Sequence, residues 1–171
     1  KLTSAALNPE IAAKNKIQKI MITLSFNMPL NKKSGLTLED FKKVLSENLA
    51  DKNKIFEKNA ENFYQIEQTY NINGIFLAAV GIHESAWGTS NISLTKKNLF
   101  GYGAYDSNPG GGAYSFENYS EGIDLIARVF AKYYLNPKGT KIYDGQLASG
   151  AHYNGSTLSA VNKKYLTSGG I

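Results

Sequence analysis

The sequence predicts a mainly α-helical protein that carries one small lobe of a different kind. Apolar residues recur at helical spacing over most of the chain. Helix-capping Ser, Thr and Asn residues precede several of these stretches. Residues 101–119 break the pattern, because they are rich in Gly, Tyr, Asn and Ser. With 171 residues and neither a repeat nor a linker, we expect one domain, residues 1–171, with the small lobe at about 101–119.

The first half of the chain predicts three helices. The first begins at Pro9 and has an apolar face that extends to Leu24. Thr37 is the expected N-cap of the second helix, and Asn53 is the expected N-cap of the third. Residues 71–74 contain Asn and Gly and should end the third helix before the next begins.

The second half of the chain predicts the lobe and two further helices. In the lobe, the Gly and Tyr pattern favours turns and short β-strands. Ser120 should cap an amphipathic helix that extends to Leu135 and stops at Asn136-Pro137. A last helix is expected at about 157–165.

Composition excludes several classes of protein and site. The chain has no cysteine, so it can form neither a disulfide framework nor a thiolate metal site. No apolar run approaches the roughly 20 residues of a membrane span. The net charge is +5, but the lysines are scattered, which argues against a nucleic-acid-binding surface. The first ten residues lack the apolar stretch of a signal peptide, so we expect the chain to follow one or to be cut from a longer protein.

Glu84 is the most informative single residue. It lies near the end of the apolar run 74–90, and the segment from Ile75 to Ile82 has neither a charge nor a hydrogen-bonding side chain. We expect the run to be a buried helix, in which desolvation and the negative end of the helix dipole favour the protonated acid. An acid that keeps its proton near neutral pH can donate it. Glu84 is therefore predicted to be a general acid, facing a cleft between the helix and the lobe.

Other chemistries fit the same segment poorly. His83-Glu84 matches the start of the zinc motif H-E-x-x-H, but Trp87 stands where the second histidine is required. His152 is the only other histidine, so we expect no metal and no cofactor. The segment is also not a nucleophile elbow, and Ser85–Gly88 should instead end the helix and shape the following turn.

Two segments carry a resemblance to a known family. AAVGIHESAWGTS (78–90) followed by KKNLFGYGAYDSNP (96–109) resembles the bacterial N-acetylglucosaminidase domains of glycoside hydrolase family 73. The late segment VNKKYLT (161–167) is also similar, and the resemblance extends over residues 60–168. It implies a lysozyme-like helical body with the β-lobe beside the active-site cleft. It further implies a secreted autolysin located in the cell wall, which hydrolyses the β-1,4 bond on the reducing side of N-acetylglucosamine.

The same resemblance assigns roles to residues. It implies that Glu84 is the general acid and that Tyr165 lies in the cleft, where it would orient the N-acetyl group or stabilise positive charge. The second carboxylate stays open. Glu117, expected on a strand, is favoured as the water-activating base. Asp106, in a sequence typical of a turn, is the less favoured candidate. In a third alternative the substrate's own N-acetyl oxygen attacks the anomeric carbon, and no second acid is needed.

The resemblance implies that the partner is the glycan strand of peptidoglycan. We expect the protein to be a monomer that binds neither nucleic acid nor a membrane. Aromatic faces suit the apolar faces of sugar rings, although packing of the lobe explains each tyrosine equally well. A muramidase, a lytic transglycosylase and a non-catalytic wall-binding module remain alternatives. The residues expected to bind substrate are Asn98, Phe100, Tyr102, Tyr105, Asp106 and Tyr119.

Overall fold

The predicted helical architecture is confirmed. A computed structural model describes residues 28–103 and 112–161. The first predicted helix and the end of the last one lie outside these residues. The expectation of a single domain stays a prediction. In the described part the helices are α1 (Leu38–Val44), α2 (Ile55–Lys58), α3 (Ala60–Tyr70), α4 (Gly74–Ser85), α5 (Asn91–Lys96) and α6 (Tyr119–Val129).

Helix α3 is at the centre of the packing. Helices α1, α2, α4 and α6 all pack against it. The core that they enclose is rich in phenylalanine, and such aromatic side chains bury large areas and dominate core energetics. Its largest fully buried aromatic side chains are Phe41, Phe56, Phe63, Phe100 and Phe130.

The N-terminus of α1 confirms one predicted cap, and the N-terminus of α2 contradicts another. The Thr37 side chain accepts a hydrogen bond from the Asp40 amide (3.2 Å), and the Asp40 carboxylate accepts one from the Thr37 amide (3.0 Å). This reciprocal pair is a capping box, as the sequence predicts for Thr37. The cap predicted at Asn53 is wrong. The buried Asp51 carboxylate instead accepts from the amides of Ile55 (2.9 Å) and Glu57 (3.0 Å).

A buried glutamate fixes the junction between α3 and α4. Asn71 adopts a left-handed conformation that ends α3, and the Asn73 side chain caps α4. Glu67 is 0% exposed. Its carboxylate accepts from the Gly74 amide and from the Ser34 hydroxyl, both at 2.9 Å. Glu67 therefore joins the start of α4 to the loop before α1.

A polar network joins α3 to α6. The Tyr70 hydroxyl donates to one oxygen of Asp124 (2.5 Å), and Arg128 donates to the other (3.0 Å). Burial, followed by the hydrogen bond to Asp124 and the negative charge of that residue, raises the pKa of Tyr70. The Tyr143 ring packs edge-on against the Tyr70 ring, with centroids 4.9 Å apart.

Helix α6 has the predicted end but a different cap. The Asn118 side chain, not that of Ser120, accepts from the Glu121 amide (3.0 Å). The helix continues as a π-helical turn from Phe130 to Tyr134 and stops before Pro137, as predicted. The last predicted helix is present in residues 158–161, at the end of the described chain.

The small lobe differs from the prediction. Its described residues, 101–103 and 112–119, contain no β-strand. One backbone bond pairs its two sides, from the Tyr114 amide to the Tyr102 carbonyl (3.0 Å). The carbonyls of Ala113, Tyr114 and Glu117 accept from side chains instead. Elsewhere in the described chain, none of the helices has the length and apolar character of a membrane span.

Candidate active site

Helix α4 is buried on all sides in its first half and on one face only in its second half. Residues 74–78 are all buried, but Ala79, His83 and Glu84 are exposed. The expectation that Glu84 is buried is therefore wrong, because in the second half of α4 only the face with Gly81 and Ser85 is buried, and Glu84 lies on the other face. Glu84 lies at the surface in the last turn of α4, where a ligand can reach it.

A left-handed turn follows Glu84 immediately. Ala86, Trp87 and Gly88 have φ values of 49°, 60° and 71°, a conformation that disfavours side chains with a Cβ. The Ser85 side chain stabilises this turn. Its buried hydroxyl donates to the Gly81 carbonyl (2.6 Å) and accepts from the Gly88 amide (2.8 Å). The predicted role of this segment in shaping the turn is confirmed.

The turn packs against α2. The Trp87 ring meets the Phe56 ring edge-on, with centroids 5.9 Å apart. A Cβ on Gly88 would lie 2.9 Å from the Ile55 Cδ1 atom, so glycine suits both the close approach and the positive φ. These contacts hold the turn that follows Glu84 against the hydrophobic core.

Phe100 brings the base of the lobe to the same end of α4. Its ring atoms lie 3.3 Å from where a Cβ on Gly81 would be, and the Phe56 ring is equally close. Gly81 precedes Glu84 by three residues, which is nearly one helical turn. The segment that contains Phe100 therefore lies beside the part of α4 that precedes Glu84.

Asn98 is buried and makes four hydrogen bonds at the base of the lobe. Its amide nitrogen donates to the carbonyls of Tyr102 and Tyr114, both at 3.0 Å. Its oxygen accepts from the amides of Phe100 (3.1 Å) and Tyr102 (3.2 Å). Asn98 and Phe100 were predicted to contact substrate, but both are buried and neither presents a surface to a ligand. The structure gives them a supporting role instead.

Lys96 and Lys97 bind the part of the lobe that leads into α6, residues 113–117. The Lys96 ammonium donates to the Ala113 carbonyl (3.0 Å), and that of Lys97 donates to the Glu117 carbonyl (2.8 Å). The Phe116 amide in turn donates to the Lys96 carbonyl (2.9 Å). The KKN segment thus binds residues 113–117 mainly through side chains.

The described tyrosines of the lobe differ in what they expose. Tyr114 is 55% exposed, and its ring lies 5.3 Å from that of the half-buried Tyr102, at 43°. Tyr119 is also half-buried, and its hydroxyl donates to the Ser93 carbonyl (3.0 Å). Burial raises the pKa of Tyr119. Its hydroxyl joins α6 to α5, so only part of its ring is accessible to a sugar.

Glu117 is exposed, but it lies in a bend before α6 and not on the predicted strand. Its amide donates to the carboxylate of Glu121 (3.0 Å), an acid in the first turn of α6 that therefore has a structural role. The predicted site residues Tyr105, Asp106 and Tyr165 lie outside the described residues.

The described residues contain no cluster of three or more His, Asp or Glu side chains that could hold a metal ion. A cavity of about 900 Å³ lies between α1, the end of α2 and the start of α3. Its walls carry charges of both signs, from Lys42, Lys43, Glu57 and Glu61 among others. None of its lining residues belongs to α4 or to the lobe, so it is separate from the Glu84 site.

Comparison with known proteins identifies the family. The family model for glucosaminidases, described as mannosyl-glycoprotein endo-beta-N-acetylglucosaminidase, matches residues 60–168. The chain belongs to the glucosaminidase family. This match includes both segments that carried the resemblance to glycoside hydrolase family 73, and it confirms that prediction.

Two relatives from Streptococcus pneumoniae, strains TIGR4 and R6, bear the provisional name endo-beta-N-acetylglucosaminidase. Each is 32% identical to this chain over 121 residues, or 71% of it. The chain spans only 18% and 17% of their respective lengths.

The solved structures of S. aureus autolysin E show the fold. The free enzyme aligns with a TM-score of 0.52 at 19% identity, over 91% of this chain and 78% of autolysin E. Autolysin E has also been solved with the muropeptide NAM-L-Ala-D-iGlu (TM-score 0.51, 20% identity, 89% and 78% coverage). A catalytic mutant of it, with a glutamate replaced by alanine, holds the disaccharide NAG-NAM (0.51, 20%, 88% and 78%). The mainly helical, lysozyme-like fold is thus confirmed.

Proposed function

We propose that this glucosaminidase-family chain hydrolyses the glycan strands of peptidoglycan, with Glu84 as the general acid. The observation that carries the proposal is the position of Glu84. It is an exposed carboxylate in the last turn of α4, and the base of the lobe packs beside that turn through Phe100. Family membership and the NAG-NAM bound by autolysin E support the same substrate class.

The proposed step is protonation of the departing glycosidic oxygen by Glu84 as positive charge builds on the sugar. Exposure in the free protein suits this role, because the acid must reach a bond in a polymer. A glycan chain lying over Glu84 would displace water from it and strengthen every electrostatic interaction in the cleft. Val80, four residues earlier on the same face of α4, is half-buried and adds an apolar neighbour.

Two routes could complete the reaction. Glu117 could activate the attacking water, since it is exposed at the end of the lobe. The N-acetyl oxygen of the substrate could instead attack the anomeric carbon, with Tyr165 orienting that group, and water would then open the cyclic intermediate to complete the hydrolysis. We favour Glu117, and Glu117→Gln tests it: kcat should fall if this residue is the base, and an unchanged kcat would remove it from the mechanism.

The central experiment compares Glu84→Gln with Glu61→Gln, an exposed glutamate on α3. Purified peptidoglycan is digested with each variant, and release of reducing ends is followed. Glu84→Gln should lose activity by about 10²–10⁴-fold, the usual value of general acid catalysis, with an unchanged circular dichroism spectrum. Glu61→Gln should match the unmodified protein. Near-normal lysis by Glu84→Gln would exclude it as the acid.

The products identify the bond. After borohydride reduction, mass spectrometry should find reduced N-acetylglucosamine ends. Reduced muramic ends would indicate a muramidase, and anhydro ends a lytic transglycosylase. Binding of peptidoglycan with neither new reducing ends nor anhydro ends would indicate a wall-binding module. A mannosylated glycoprotein serves as the competing substrate, because the family description names that class. Its preferential cleavage would overturn the choice of peptidoglycan.

We also propose that the protein is secreted, acts at the cell wall and works as a monomer. These proposals follow from the substrate, which lies outside the cell membrane. Fractionation of the producing cells should place the full-length protein in the wall or medium, and sedimentation should give the mass of one chain. A cytoplasmic location would contradict the proposed substrate.

A further inference from the structure

We infer that Tyr102 and Tyr114 form a sugar-binding platform, and that Asn98 is the residue that positions it. The inference rests on the proposed action on glycans. It goes further by naming a binding surface and the buried side chain that sets its orientation. The platform is defined as the paired rings of these two tyrosines, whose centroids are 5.3 Å apart.

The geometry around Asn98 is that of a positioning residue. A side-chain amide has two donor hydrogens and two acceptor lone pairs, and all four are used here. The partners are backbone groups of Phe100, Tyr102 and Tyr114. One side chain therefore fixes the backbone of both tyrosines and of Phe100, the residue that packs on α4. Moving Asn98 would move the platform relative to the end of α4 that carries Glu84.

Lys96 fixes the backbone around Tyr114 from the end of α5. Lys96 holds the Ala113 carbonyl, directly before Tyr114, and its own carbonyl receives the Phe116 amide. The backbone on both sides of Tyr114 is thus fixed to the end of α5. A tyrosine that merely covers the surface does not require such a rigid support.

The exposed ring of Tyr114 gives the platform its ligand class. Tyr114 is 55% exposed, while Tyr102 backs it and packs partly against the core. A rigid aromatic face with a hydroxyl at its edge matches a pyranose ring, which has an apolar C–H face and a polar rim. A protein partner would be expected to need a larger apolar patch than two rings.

The first test measures binding without turnover. In the Glu84→Gln protein, calorimetry follows a soluble β-1,4-linked N-acetylglucosamine oligosaccharide. Adding Tyr114→Ala should weaken binding by about threefold to tenfold, the value of one aromatic contact. Tyr114→Phe, which keeps the ring, should bind within about twofold of the parent. Equal binding by Tyr114→Ala and the parent would overturn the platform.

The second test addresses Asn98. Asn98→Asp keeps the acceptors but loses both donors, so the Tyr114 carbonyl loses the Asn98 amide and the Tyr102 carbonyl keeps only the Tyr114 amide as its donor. We expect weaker oligosaccharide binding and faster hydrogen exchange at the Tyr114 and Phe116 amides, while the amides of α3 keep their protection. Asn62→Ala, which removes an amide that bonds within the α3 region, is the matched control. Unchanged exchange and binding in Asn98→Asp would refute the positioning role.

If Asn98→Asp fails to fold, a second variant still tests the support of the platform. Lys96→Met removes only the bond to the Ala113 carbonyl and leaves the core intact, and it should raise exchange at Tyr114 alone among these amides. The outcomes also separate the two proposals. If the oligosaccharide binds through Tyr114 but peptidoglycan is not cut, the platform stands and the catalytic proposal fails. If the parent binds no glycan, both fail.

Discussion

Replacing Ser85 by alanine tests how the protein supports its proposed acid. Ser85 directly follows Glu84 and is 1% exposed. Its hydroxyl bridges the Gly81 carbonyl and the Gly88 amide at 2.6 Å and 2.8 Å. Alanine removes both bonds and leaves the buried Gly88 amide without its acceptor.

The expected loss of stability follows from these contacts. An unsatisfied buried polar group costs about 1–3 kcal/mol. The turn it leaves unsupported contains Ala86 and Trp87 in the left-handed region, each costing roughly 1–2 kcal/mol. We therefore expect Ser85→Ala to lower the free energy of unfolding by about 2 kcal/mol. In thermal unfolding that corresponds to a fall in Tm of roughly 4–8 °C.

The effect on activity is separate from the effect on stability. Domains of this size have an unfolding free energy of about 5–15 kcal/mol, so a loss of 2 kcal/mol leaves more than about 99% folded. A lower kcat would therefore report displaced geometry, not unfolded protein. We expect kcat to fall by about tenfold or more, because a shift of about 1 Å in a catalytic group is costly.

The matched control is Ser46→Ala. Its hydroxyl also donates to a helical carbonyl, that of Lys43 at 3.1 Å, but at the exposed surface. It should change stability by no more than about 0.5 kcal/mol. If Ser85→Ala is as stable as Ser46→Ala, the reasoning about the turn is refuted. If it is destabilised but has normal kcat, the turn does not position Glu84.

Two further predictions concern the buried Glu67 and the half-buried Tyr70. Glu67→Ala should cost about 3–5 kcal/mol in urea unfolding, because it leaves the buried Gly74 amide unpaired and opens a cavity. Glu67→Gln should cost less than about 1.5 kcal/mol, since its oxygen can serve Gly74 and its nitrogen can donate to Ser34; equal losses would contradict this. The raised pKa of Tyr70 means that the folded state holds the hydroxyl proton more tightly than the unfolded state does. The stability that Tyr70 contributes is therefore fully present below the ordinary tyrosine pKa of about 10, and it is lost as the pH rises above that value. Tyr70→Phe, which also loses the bond to Asp124, should show a smaller decline in unfolding free energy between about pH 9 and 11, and an unchanged decline would exclude Tyr70 as its source.

Sequence predicted best where the physics is local. Thr37 and Asp40 are three residues apart, so a capping box can be recognised without knowing the fold. The stop before Pro137 is equally local, because proline cannot continue a helix. The Asn53 cap failed for a related reason. Asp51 competes for the same amides, and its carboxylate reaches past Lys54 to the start of α2.

Burial was harder to predict because it depends on contacts between distant residues. The apolar run in α4 looks uniform in sequence, yet only its first half faces the core on all sides. Nothing in residues 79–82 separates them from residues 75–78 by composition alone. Glu67 shows the reverse case. It is an ordinary polar residue of an amphipathic helix in sequence, but Ser34, 33 residues away, completes its buried site.

The family motif itself was interpreted too literally. A resemblance marks positions where a residue type matters, but it does not distinguish a side chain that contacts substrate from one that holds the site together. Asn98 and Phe100 belong to the second kind, and a buried amide with four satisfied hydrogen bonds cannot also bind a sugar. Ser85 and Gly88 likewise support the site, because they stabilise the turn that follows Glu84. The motif around this acid therefore consists largely of its supports, which is why the effects of Ser85→Ala and Asn98→Asp on kcat and on glycan binding are as informative as that of Glu84→Gln.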